Sequence, residues 1–214
     1  MKKVIFLLVL TSLVAFTSYA DKYESAMTAT IEKLNTASTV DAYRDVAASF
    51  ERIAEAEQSK WLPFYYAGLS YVWASHTIQD GAAIDGLLDQ AQVMVDKAVK
   101  LSAQNDEIIT LQGYIYMMKV TVDPASRGAQ YSGMAMQQFG QAVGINDQNP
   151  RALMLMGRMQ MGTEQFFGQD TSNSCAMIAR AAKMFEDYKP ASAIDPAWGK
   201  ETSEMFMSEC GASK

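Results

Sequence analysis

Residues 109–116 read ITLQGYIY, with a large apolar side chain four positions before a glycine. The frame recurs as FYYAGLSY at 64–71 and LMLMGRMQ at 153–160, and the first two copies add Tyr71 and Tyr116 three residues after their glycines. Twenty-two residues before Gly68, Gly113 and Gly157 a second pattern begins, a small residue followed by a large one and a third apolar one. It runs Val46-x3-Phe50-x2-Ile53, Ala91-x3-Val95-x2-Ala98, Ala135-x3-Phe139-x2-Ala142 and Ala181-x3-Phe185-x2-Tyr188, with starts 45, 44 and 46 residues apart. After the fourth start the glycine position holds Ser203, also small. A constant offset at a period of 20–50 residues marks a repeat architecture. Small residues every turn let two helix backbones approach, and the residue four before each glycine shares its face. The spacing predicts an all-α array of antiparallel helix pairs.

Punctuation supports helices near 22–36, 40–57, 61–76, 85–102, 106–120, 130–144, 150–162, 174–188 and 196–209. Asn149-Pro150 and Asp195-Pro196 place a capping side chain before a proline at the first helical position. The pairs span roughly 22–57, 61–102, 106–144 and 150–188, with a closing helix at 196–209, all in one domain over 21–214.

These motifs resemble the tetratricopeptide repeat family, whose first helix carries a large residue, glycine and tyrosine and whose second carries A-x3-F-x2-A. The resemblance covers about residues 40–206 and implies a right-handed solenoid. The period departs from the family's ~34 residues, and the excess lies between the first and second helix of each pair, near 77–84, 121–130 and 163–173. VDPASRGAQYS at 122–132, NPRALMLMG at 149–157 and EQFFGQD at 164–170 also resemble exported repeat proteins of the Bacteroidota.

Two lysines, an apolar run from Val4 to about Phe16 and the small residues Ser18 and Ala20 open the chain. This reads as a signal peptide over 1–20, cleaved after Ala20, and places the mature chain in the periplasm. The run is too short to span a bilayer, and no later segment suits insertion. Losing Lys2 and Lys3 and no acidic residue leaves 16 basic against 24 acidic side chains, a formal −8. That balance argues against nucleic acid and anionic membrane surfaces as partners. Cys175 and Cys210 are the two cysteines of the chain. In an oxidising compartment such a pair suggests a bridge. Cys175 opens the second helix of the last pair and Cys210 ends the antiparallel helix after it, which brings them together.

LMLMGRMQMG at 153–162 carries four methionines. A copper site needs sulfurs converging on one point, usually with His or Cys. In the helical frame set by Gly157, Met156 faces the neighbouring helix, whereas Met154, Arg158 and Met161 lie along another face, so packing is favoured over metal. In the family resemblance that face is concave, and equivalent positions give a stripe of Tyr65, Leu69, Trp73, Tyr114, Met117, Met118, Met154, Arg158 and Met161. Aromatics, methionines and one arginine suit an extended peptide or a partner helix. A second candidate surface is the edge where the three longer connections emerge, with Asp80, Asp123, Arg127, Tyr131, Phe166, Phe167 and Asp170.

HExxH, GxSxG and a phosphate-binding glycine loop are all absent. His76 is the one histidine and no serine is singled out to pair with it. The expectation is a non-enzymatic, exported scaffold for a protein or peptide of the cell envelope, with no cofactor and no bound metal. The alternative is a carrier of a small ligand or of copper, using the edge connections or the methionines.

Overall fold

The computed structural model describes residues 22–212, so the expected signal peptide lies outside the described residues. The chain folds as α1 (22–36), α2 (Val40–Glu57), α3 (Leu62–Ser75), α4 (Gly81–Leu101), α5 (Asp106–Val122), α6 (Pro124–Ile145), α7 (Pro150–Phe166), α8 (Ser172–Asp187) and α9 (Lys200–Ala212). The described residues include no strand, and none of their helices is long and apolar enough to cross a membrane.

Each helix from α2 onward packs on its successor, and α5 also touches α3 and α7. Helices α3, α5 and α7 therefore lie side by side in one layer, with α4, α6 and α8 packed against them. The three glycines are the contact points between layers. A Cβ on Gly113 would sit 2.5 Å from the Phe139 ring of α6, and one on Gly157 would meet Ile178 at 2.9 Å and the Ser174 carbonyl of α8 at 3.2 Å. At Gly68 the fit is looser, with Leu111 at 3.3 Å and the Ala91 carbonyl of α4 at 3.4 Å. Ala91, Ala135, Ala181 and Ser203 are all fully buried, as the repeat frame requires.

The connections differ from expectation. The residues in excess of the family period extend helices instead of forming edge loops. Asp80 accepts from the Ala83 amide and caps α4, and Asp123 accepts from the Ser126 amide and caps α6, whose first residue is Pro124. These capped starts move α4 and α6 back to residues 81 and 124, where 85 and 130 were expected.

The last helix also starts later than Asp195-Pro196 suggested. Residues 188–199 form an irregular strap across the layer of odd helices. The Tyr66 hydroxyl donates to the Ile194 carbonyl at 3.0 Å, and the Trp198 indole N–H donates to the Tyr65 hydroxyl at 2.8 Å. The strap ends at Gly199, whose φ is +112°. A side chain there would be strained by that φ and would strike Phe185 at 2.7 Å.

Cys175 and Cys210 are bonded, with Cα atoms 5.7 Å apart, and tie the start of α8 to the end of α9. Met161 packs on this bridge, its sulfur 3.8 Å from Cys210 Sγ.

Candidate functional site

The strap divides the face formed by the odd helices. It covers their N-terminal halves and leaves their C-terminal halves open as a cleft of about 1430 Å³. Trp73 and Ser75 of α3, Tyr114, Met117 and Met118 of α5, and Arg158 and Met159 of α7 form its floor and walls. Gly128, Ala129 and Ser132 of α6 form one side, and Met205, Phe206 and Glu209 of α9 another. Tyr43, His76, Phe166 and Phe167 also line it. The lining follows one helical register. Positions one, five and eight after the repeat glycines give Trp73 and His76 in α3 and just beyond it, Tyr114, Met118 and Thr121 in α5, and Arg158, Gly162 and Gln165 in α7.

Below this floor lies a buried polar network. Arg151 is fully buried, and its Nη2 and Nε donate to the Glu107 carboxylate at 2.6 and 2.9 Å. Glu107 also accepts from Asn149 Nδ2 at 2.9 Å and from the Tyr65 hydroxyl at 3.3 Å. Arg151 also donates to the Tyr188 hydroxyl at 2.7 Å and to the Trp198 carbonyl at 3.3 Å. Burial pushes the Glu107 carboxyl above its ordinary pKa, with the Arg151 guanidinium pulling the other way. Burial also works against the guanidinium, but Glu107 more than offsets it and Arg151 stays charged. A buried pair satisfied this fully is costly to break on one side only. It fixes Trp198, whose ring stacks on Tyr114 at 6.0 Å and meets Trp73 edge-on at 6.0 Å. Network and strap thereby set the position of the aromatic floor.

His76 stands one residue past α3 with its Nε2 2.9 Å from the Tyr114 hydroxyl. The ring borders the open cleft, yet burial by the surrounding walls lowers its pKa below the ordinary histidine value. Burial also raises the Tyr114 phenol well above its usual range, so it stays protonated. On the opposite wall Arg158 lies 5.2 Å over the Phe206 ring and 3.5 Å from Glu209.

The expected stripe divides at the strap. Trp73, Tyr114, Met117, Met118 and Arg158 line the cleft. Tyr65, Leu69, Met154 and Met161 do not: each is fully buried. Tyr65 is sealed by the strap through Trp198, and Met161 by the disulfide. The methionines of 153–162 accordingly do not converge. Met154 and Met161 belong to the core, and Met159 alone of the four reaches the cleft. Of the edge candidates, Phe166 and Phe167 border the cleft, at 61% and 67% exposure. The others have local roles. Asp80 and Asp123 cap helices, and Arg127 forms a two-pronged ion pair with Asp85 at 2.7 and 2.8 Å. Tyr131 stacks on Tyr116, and Asp170 accepts from the Ser172 hydroxyl. Residues missed from sequence are Tyr43, His76, Met205 and Phe206. His76 was reachable, since it continues the register of Leu69 and Trp73 by one turn. Tyr43 comes from α2, which carries no repeat glycine, and Met205 and Phe206 come from α9, where Ser203 stands at the glycine position.

Neither protein-family models nor curated proteins match the chain. Its fold is similar to that of the HusA haemophore from Porphyromonas gingivalis, with a TM-score of 0.80. The match spans 90% of this chain and 94% of that one at 24% sequence identity. At that identity the likeness establishes the all-α fold.

Proposed function

We propose that this protein is an exported, non-enzymatic carrier that holds a haem-like tetrapyrrole in the cleft. The observation that carries the reading is the cleft itself, a single concavity walled by Trp73, Tyr114, Phe206 and four methionines, Met117, Met118, Met159 and Met205. Its volume of about 1430 Å³ exceeds the ~300–1,000 Å³ of ordinary small-molecule pockets, which suits a broad macrocycle. Flat aromatic faces and polarisable thioethers fit a planar apolar ligand without demanding one geometry. Arg158 offers a cation to the carboxylates that such a macrocycle carries at its edge. The fold shared with a protein named as a haemophore supports the same cargo class. Export is supported by the basic, apolar and small-residue order of the first twenty residues and by the disulfide.

The test compares ferric haem binding by residues 21–214 with that of a blocked cleft. Gly162 lines the cleft and has open space around its missing Cβ, so Gly162→Trp projects an indole into the cavity without disturbing the fold. Wild type is expected to shift the haem absorption band saturably and to quench Trp73 and Trp198 fluorescence, whereas Gly162→Trp does neither. Equal binding by the two proteins would refute the site, and no saturable binding by wild type would refute the cargo.

A second reading, a protein partner in the envelope, is favoured by one observation. Phe166, Phe167 and Met205 are large, apolar and more than half exposed at the cleft mouth, and such side chains favour contact with another surface. Cross-linking from native envelopes, lost on Phe166→Ser with Phe167→Ser, would support it, and this contact is compatible with a carrier that hands its cargo on.

A further inference from the structure

The carrier reading leaves open how the cleft tells one tetrapyrrole from another, and the inference that follows rests on that reading. His76 is the single histidine of the chain. It is placed in the cleft by the same register that places Trp73. Its ring is not packed into the core: it borders open space, with one edge against Tyr114, its hydrogen-bond partner among the described residues. The two rings are 5.7 Å apart, centroid to centroid. Tyr114 is itself held from behind by Trp198, so the imidazole rests on a rigid stack.

We propose that His76 supplies an imidazole nitrogen to the metal of the bound macrocycle, so that the cleft selects metallated over metal-free tetrapyrroles. In this arrangement Nε2–H would donate to the Tyr114 hydroxyl, leaving Nδ1 to offer its lone pair to the metal. A histidine ligand whose other nitrogen is tied to a fixed hydrogen-bond partner has its tautomer and orientation set in advance. Other donors in the cleft are the thioethers of Met117, Met118, Met159 and Met205 and the side-chain oxygens of Tyr43 and Glu209. Imidazole is the better match for ferric iron, since thioether prefers softer ions. Aromatic and methionine contacts alone would hold metallated and metal-free rings alike, so any preference for the metal reports on a donor atom.

The test uses ferric haem and metal-free protoporphyrin as probes, with residues 21–214 and the variants His76→Gly and His76→Gln. Wild type is expected to bind haem at least about tenfold tighter than the metal-free ring, the equivalent of about 1.4 kcal/mol. Both variants should lose that preference while keeping their affinity for the metal-free ring, which also shows that the cleft is intact. Added imidazole should restore the wild-type absorption and electron paramagnetic resonance spectra to haem-loaded His76→Gly. Equal affinity of wild type for the two probes, or haem spectra unchanged by both substitutions, would overturn the assignment while leaving the carrier reading standing. If wild type binds neither probe, the carrier reading fails and this inference fails with it.

Discussion

Replacing each repeat glycine by alanine should have a graded cost that follows the space around it. Gly68, Gly113 and Gly157 all sit inside helices, so each substitution gains the same helix propensity, about 1 kcal/mol. That gain cancels when the variants are compared with one another. What remains is packing. At Gly68 the new methyl would meet Leu111 at 3.3 Å and the Ala91 carbonyl at 3.4 Å, a tight contact that a leucine side chain relieves by a few tenths of an ångström. At Gly113 it would lie 2.5 and 2.7 Å from two atoms of the Phe139 ring, which is fully buried and has nowhere to turn. At Gly157 it would meet the Ser174 carbonyl at 3.2 Å as well as Ile178 at 2.9 Å, so α8 itself has to move. Overpacking of this kind costs roughly 1–3 kcal/mol. Gly113→Ala and Gly157→Ala should therefore be less stable than Gly68→Ala by about that amount, or about 2–12 °C in Tm at ~2–4 °C per kcal/mol for a chain of this size. Urea unfolding followed by circular dichroism gives the difference directly, with unchanged slopes confirming that the same transition is compared. If Gly113→Ala matched or exceeded Gly68→Ala in stability, the close helix contact inferred from the glycine frame would be wrong.

Glu107→Gln removes the charge that balances the fully buried Arg151 and should destabilise by about 3–5 kcal/mol in urea, with a change in Trp198 emission as the strap loosens. Replacing Cys175 and Cys210 together by serine opens a span of 35 residues and should cost about 4 kcal/mol in the chain-entropy model, read as a lower unfolding midpoint under non-reducing conditions. His76 has a pKa lowered in the folded state, so the unfolded chain takes up its proton first. Its contribution is thus complete above the ordinary histidine range and is lost as pH falls through the folded value, and the wild type's drop in stability on acidification should be smaller in His76→Gln.

The close-packed layers were legible because adjacent backbones admit only small side chains, and Gly68 with Ala91 records that constraint at both ends of one contact. The connections were less legible, although the same signature marks them. Asx-Pro opens α7 at Asn149-Pro150 and also opens α6 at Asp123-Pro124, where the longer connection was instead taken for an edge loop. At Asp195-Pro196 the same pair begins no helix, because residues 188–199 are held as a strap by long-range bonds from Tyr65, Tyr66 and Arg151. Those partners lie 47 to 133 residues away, beyond the reach of any local pattern. The candidate stripe divides between cleft and core for the same reason. Helical register places Tyr65 and Met154 on the face shared with Trp73 and Arg158, and only the strap decides which half of that face stays open.

The proposed cargo has one location, the cleft. Crystals of residues 21–214 loaded with ferric haem, measured at the iron absorption edge, would give the position of the metal without reference to any assumed pose. The expected result is one anomalous peak within the cleft between the walls of α5 and α9, at bonding distance from the imidazole of His76. A peak on the outer surface of α4, α6 or α8, or no bound iron at any haem concentration, would contradict the account.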